Sequence, residues 1–116
     1  MAQRHILFTF NRAPYGSVYY TEGLRAAVGV TSGIDEHTVD LLYLGDGVNF
    51  ALKDVDRTDS LKYLVTLANL GTKLKVEKES LDERCINEAD LAGDVEVIRR
   101  ADALDLVRRA DLTIDF

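Results

Sequence analysis

The chain has one cysteine, one proline and no tryptophan in 116 residues. A lone cysteine excludes an intramolecular disulfide, so the fold has to be held by its core. No apolar run approaches the ~20 residues that a membrane-spanning helix needs, and residues 1–10 lack the basic-then-apolar layout of a secretion signal. A cytoplasmic protein with no membrane partner is therefore expected. Basic charge is also scarce: 14 Lys and Arg stand against 20 Asp and Glu, a net charge of −6. A surface of that sign repels a phosphate backbone, which argues against direct nucleic-acid binding. Arg99, Arg100, Arg108 and Arg109 cluster late in the chain and read as a solvated helix face, with cations favourably placed at its C-terminal end. The two histidines, His5 and His37, have no further His or Cys at metal-ligand spacing, so zinc is not expected. No phosphate-binding Gly-rich loop occurs. Gly45-x-Gly47 follows the second strand, and Phe50 takes the third glycine position of the dinucleotide fingerprint.

What is present is the composition of an ordinary globular chain, 47% hydrophobic and 29% charged. At this length it makes one domain, residues 1–116, with one core. Residues 4–10 form a nearly unbroken apolar run, as in a strand covered on both faces. Ser17 is an N-cap candidate for a helix reaching about Val30, with Tyr20, Leu24, Ala27 and Val28 on one stripe and Ser32-Gly33 ending it. Residues 39–44 make a second strand that stops at Gly45-Asp46-Gly47, and residues 48–56 are ambiguous between short helix and loop. Thr58 or Asp59 caps a helix with Leu61, Leu64, Val65 and Ala68 on its face, and Gly71 closes it.

Residues 73–77 alternate as a third strand, with Leu74 and Val76 inward. Ser80-Leu81-Asp82-Glu83 has the form of a capping box and predicts a short helix from Ser80. Residues 95–98 and 112–116 are the last strands. Between them Ala103, Leu106, Val107 and Ala110 form a helical stripe, with Asp102 and Asp105 near its start and Arg108 and Arg109 near its end. Strand and helix alternate with short links. That predicts an α/β fold, three-layer α/β/α, around a five-stranded, mainly parallel sheet.

In such a sheet ligands bind beyond the C-terminal strand ends. The loops predicted there supply Asn11, Tyr15, Asp46, Asn49 and Glu77 as candidate cleft residues, although taken singly each is also ordinary turn chemistry. Cys85 is the one side chain able to accept sulfur as a persulfide. It lies about five positions past the proposed cap, where the helix dipole has faded, and Glu83 offsets Arg84, so a small buried packing residue is the expectation. Tyr19, Phe50 and Tyr63 read as exposed apolar residues suited to an oligomer surface.

Four stretches carry a resemblance that spans almost the whole chain. Phe10, Ala13, Pro14 and Gly16 follow a Phe-x-x-x-Ala-Pro-x-Gly opening, and Asp46-Gly47-Val48 forms an Asp-Gly-Val turn. Residues 75–86 join a strand to a Ser80-Leu81-x-x-Arg84 turn, and Ala110-Asp111 leads a final strand ending on Phe116. In order and spacing the chain resembles the DsrE/DsrF family of small sulfur-relay proteins, and its opening resembles the DsrF/TusC branch. The resemblance implies a DsrEFH-like fold and relay of sulfur between protein cysteines, in tRNA thiolation or intracellular sulfur oxidation. It also implies homo- or hetero-oligomers, trimers or hexamers of related subunits, with no metal and no nucleotide cofactor. In the family pattern the relay cysteine stands three residues before the turn serine. Here that position is Glu77, and Cys85 occupies a position where the family has glycine. The implied role is a structural or partner-binding subunit. The alternatives are a sulfurtransferase using Cys85, or a small-molecule domain using the strand-end cleft.

Overall fold

A computed structural model describes residues 3–13, 18–32 and 37–116. Five strands, β1 (His5–Phe10), β2 (Thr38–Tyr43), β3 (Leu74–Glu77), β4 (Val95–Ile98) and β5 (Leu112–Asp115), form one sheet in the order β4-β3-β2-β1-β5. Every strand pairing in it is parallel, so "mainly parallel" becomes wholly parallel. The helices are α1 (Tyr19–Thr31), α2 (Leu61–Asn69), α3 (Lys78–Glu83) and α4 (Arg100–Arg109), with 3-10 turns at Gly45–Ala51 and Glu88–Asp90.

Alternation along the strands assigns the two faces. Ile6, Phe8 and Phe10 with Leu41, Tyr43, Leu74 and Val76 meet Tyr20, Leu24 and Ala27 of α1 and Leu64 and Leu67 of α2 in the main core. On the opposite face a smaller core joins Leu7 and Leu42 to Ala103 and Leu106 of α4. The sandwich is therefore three-layered, thick on one side and a single helix deep on the other. Leu7, Phe8, Leu41, Leu42 and Tyr43 are fully buried, and each such side chain contributes roughly 1.5–3 kcal/mol by leaving water.

Local departures from expectation have local causes. Ser17 and Gly33 lie outside the described residues. The second helix begins at Leu61, with Ser60 rather than Thr58 or Asp59 at its cap position. Upstream, Asp56 instead accepts both the Thr58 amide (2.9 Å) and the Thr58 hydroxyl, an Asx-turn that competes with a cap. The buried stripe of α2 is Leu64 and Leu67, while Leu61 and Val65 are half exposed. Val107 of α4 likewise faces outward rather than into the core. Phe50 is the reverse case, expected outside but buried, its ring stacked at 3.6 Å on Tyr20.

The capping box fails. Helix α3 starts at Lys78, with Glu77 in the cap position and no side-chain cap. Its far end is a Schellman motif: the Ile86 amide donates to Leu81 O (3.0 Å) and the Cys85 amide to Asp82 O (3.1 Å). Cys85 occupies the left-handed position, φ 55°.

Candidate strand-end site

The C-terminal strand ends converge as expected. At the end of β1 the Phe10 carbonyl accepts the Leu44 amide (2.9 Å), and a Cβ on Gly47 would stand 1.8 Å from that same carbonyl oxygen. Only glycine lets the Gly45–Ala51 turn approach so closely. Gly45 donates its amide to Ser80 Oγ (3.0 Å), which ties this turn to α3. Three loops from three adjacent strands thus form one edge.

Glu77 is the most heavily engaged residue there. Although it is only 6% exposed, Ser80 Oγ donates to its Oε1 at 2.6 Å and Arg100 grips both oxygens, Nη2 to Oε1 at 3.0 Å and Nε to Oε2 at 3.2 Å. Burial pushes the Glu77 carboxyl up. The hydrogen bonds from Arg100 and Ser80, with the charges of Arg100 and Arg84, outweigh that and hold it below the usual carboxylate range. The Arg100 guanidinium is raised in turn by Glu77 and Glu83. Glu79 accepts the Arg100 amide (2.8 Å), capping the first turn of α4. One constellation therefore joins the end of β3, helix α3 and the start of α4.

The remaining predicted cleft residues lie on the same edge but do not meet around one space. Asn11 donates to Asp115 Oδ1 at 2.8 Å, alongside Thr9. Asp46 accepts from Arg84 at 3.0 and 3.1 Å, and Asn49 Nδ2 donates to the Asp46 carbonyl at 2.9 Å. Tyr15 lies outside the described residues. Glu77, expected to face a cleft, is turned into the interior network. Arg84 and Arg100 do not stand out in the sequence as site residues because their carboxylate partners Asp46, Glu77 and Glu83 are 17 to 38 residues away along the chain, and Ser80, three residues from Glu77, reads there as a helix cap.

Cys85 corrects the expectation directly. It is exposed, because the left-handed position that ends α3 carries its side chain out of the turn. The guanidinium of neighbouring Arg84 is committed to Asp46 and to the Ser80 carbonyl (3.1 Å). Cys85 borders an open groove of about 560 Å³ with Ala13, Asn49, Leu52, Asp54, Val55, Ile86 and Asp90. Of the predicted cleft residues that lie within the described residues, only Asn49 reaches it. Its signal in the sequence was the ambiguous stretch 48–56, which supplies most of one wall.

Away from this edge, Tyr20 and Tyr43 share a buried hydroxyl–hydroxyl hydrogen bond of 2.8 Å. Burial pushes the Tyr20 phenol up to about 12 and Tyr43 well above its ordinary value. Both serve the core. At the opposite edge His5 Nε2 lies 2.9 Å from Asp40, whose other oxygen accepts from Lys75 at 3.3 Å. Among the described residues no group of three or more His, Cys, Asp or Glu is placed to hold a metal ion. No helix there is long and apolar enough to cross a membrane.

The model of the DsrE/DsrF-like family matches residues 4–116. The match does not distinguish the DsrF/TusC branch. Among solved structures, the YchN protein of E. coli is similar at 23% identity and a TM-score of 0.82, covering 98% of this chain and 100% of that one. A protein of unknown function from Methanobacterium thermoautotrophicum is similar at 13% identity and a TM-score of 0.77, with coverage of 98% and 100%. At these identities the likeness shows the fold. No curated protein matches the chain.

Proposed function

We propose that this chain, which belongs to the DsrE/DsrF-like family, is a partner-binding subunit of a sulfur-relay assembly rather than the subunit that transfers sulfur. One observation carries the reading. Where the family pattern places its relay cysteine, Glu77 is buried in an ion pair with Arg100 and hydrogen-bonded by Ser80. A carboxylate has no nucleophile for sulfane sulfur, and this one is held in place by groups from two helices. The same position that would present a thiol instead braces the strand-end loops. A cytoplasmic trimer or hexamer with related subunits belongs to the same proposal.

Incubation with a persulfide donor, followed by intact-mass measurement, tests it. The expected result is no stoichiometric gain of sulfur, together with stable co-purification with a cysteine-bearing family member. Rapid loading, abolished in Cys85→Ser and passed on to a partner, would overturn the reading.

A second reading has its own support in the exposure of Cys85. In it the Cys85 thiolate attacks the sulfane sulfur of a donor R–S–SH, a new S–S bond forms on Cys85, and the donor leaves as its thiolate and takes up a proton. Thiolate character and access govern that step. The neighbouring Arg84 is spent on Asp46, which weakens the case for activation.

A further inference from the structure

The groove beside Cys85 has a built chemistry that the proposed function leaves unused. Its floor is apolar and half buried: Leu52, Val55 and Ile86, with Ile86 packed against the main core. Two exposed carboxylates, Asp54 and Asp90, stand on its rim. Neither has an ion-pair or hydrogen-bond partner for its carboxylate among the described residues, whereas Asp46 is paired with Arg84, Asp94 with Arg57 and Glu77 with Arg100; the neighbouring Lys53 ammonium donates to the Ala89 carbonyl at 3.3 Å instead.

The walls are also held. The Lys53 amide donates to the Asp90 carbonyl at 2.9 Å and the Ala92 amide to the Ala51 carbonyl at 2.8 Å. This links the segments that bear the two carboxylates. A preformed groove binds at a smaller ordering cost than one that must close around its ligand. Its size lies within the range of recognition pockets, but it is open to solvent rather than enclosed. An apolar floor between unpaired carboxylates favours a cation set among apolar groups, and rejects phosphate backbones and acidic segments.

We infer that this groove is the docking site for a short segment of a partner protein that carries lysine or arginine between apolar side chains. The inference rests on the partner-binding reading above and names the partner's chemistry.

Cys85 at the lip permits a direct test by reversible tethering. The full chain is equilibrated with the peptides Cys-Leu-Lys-Val-amide and Cys-Leu-Glu-Val-amide, each as its mixed disulfide with 2-mercaptoethanol, at graded 2-mercaptoethanol. The Cys85 adduct is then quantified by intact mass. Rim charge pairs are individually weak, so the lysine peptide should resist about three- to tenfold more 2-mercaptoethanol than the glutamate peptide. The preference should collapse towards unity in Asp54→Asn/Asp90→Asn. It should persist in Asp59→Asn/Asp102→Asn, which removes the same charge elsewhere, and Cys-Gly-Lys-Gly-amide should lose most of the advantage of the lysine peptide. Equal midpoints for the two charged peptides, an unchanged preference in Asp54→Asn/Asp90→Asn, or no adduct at all would overturn the inference. Tethering does not require Cys85 to carry sulfur. Persulfide loading would therefore count against the function proposed above without touching the groove, and loss of peptide discrimination would do the reverse.

Discussion

Replacing Cys85 by glycine should make the protein more stable, an unusual outcome for a substitution that removes a side chain. Cys85 is the left-handed residue of the Schellman motif that ends α3, at φ 55°. For an L-residue that conformation brings Cβ too close to the following carbonyl oxygen, at a cost of roughly 1–2 kcal/mol. Glycine removes the clash but adds freedom to the unfolded chain, which returns about 0.4–1 kcal/mol. The thiol is exposed, so little burial is lost with it. The balance is a gain of about 0.5–1 kcal/mol. At about 2.1 cal/mol/K per residue, unfolding 116 residues carries an entropy of about 0.24 kcal/mol/K, so Tm should rise by about 2–4 °C. Thermal and urea unfolding of the wild type, Cys85→Gly and Cys85→Ala provide the assay. Alanine also loses the thiol but keeps its Cβ in the strained region, and it should stay within about 0.5 kcal/mol of the wild type. If alanine and glycine behaved alike, or if glycine destabilised the chain, the strain argument would be wrong.

The converse holds at Gly71, which ends α2 at φ 81° with open space where a Cβ would stand; Gly71→Ala should cost about 1 kcal/mol by urea unfolding, from backbone strain alone. Gly47→Ala places a Cβ on the Phe10 carbonyl and should either fail to fold or lose more than about 3 kcal/mol by the same measurement. Glu77→Gln should be destabilising by about 1–2 kcal/mol at pH 7, below the usual cost of breaking a buried pair because Arg100 is half exposed. Because the folded carboxyl is held below its unfolded value near 4.3, the advantage of the wild type is complete above that pH and is lost as pH falls through the folded value. The gap between the two proteins in urea midpoints at pH 7 and pH 3 should therefore narrow in acid. A gap that does not depend on pH would show that Glu77 acts through shape rather than charge.

The architecture was legible because its signals are local. Parallel strands buried on both faces read as apolar runs, helices as stripes of period 3.6, and Gly71 as a stop. Each of these depends on neighbours a few residues apart. The same locality explains the errors. Periodicity marks α2 and α4 as amphipathic but cannot say which neighbour each stripe will meet. Leu67 replaced Leu61 and Val65 in the core, and Val107 turned outward. A capping box is a local pattern too, and at Ser80 it lost to another arrangement: the hydroxyl donates to the Glu77 carboxylate three residues back and accepts the amide of Gly45, 35 residues away.

By itself the sequence determined the class of fold and the family resemblance, and it marked Glu77 and Cys85 as the two departures from the family pattern. Only the tertiary structure decided what those departures mean. Glu77 is neutralised by Arg100, 23 residues further on, and Cys85 is turned to solvent beside a groove walled by segments on either side of β3. Burial and pairing are properties of residues brought together from distant parts of the chain. No spacing along the chain encodes them before the sheet has closed.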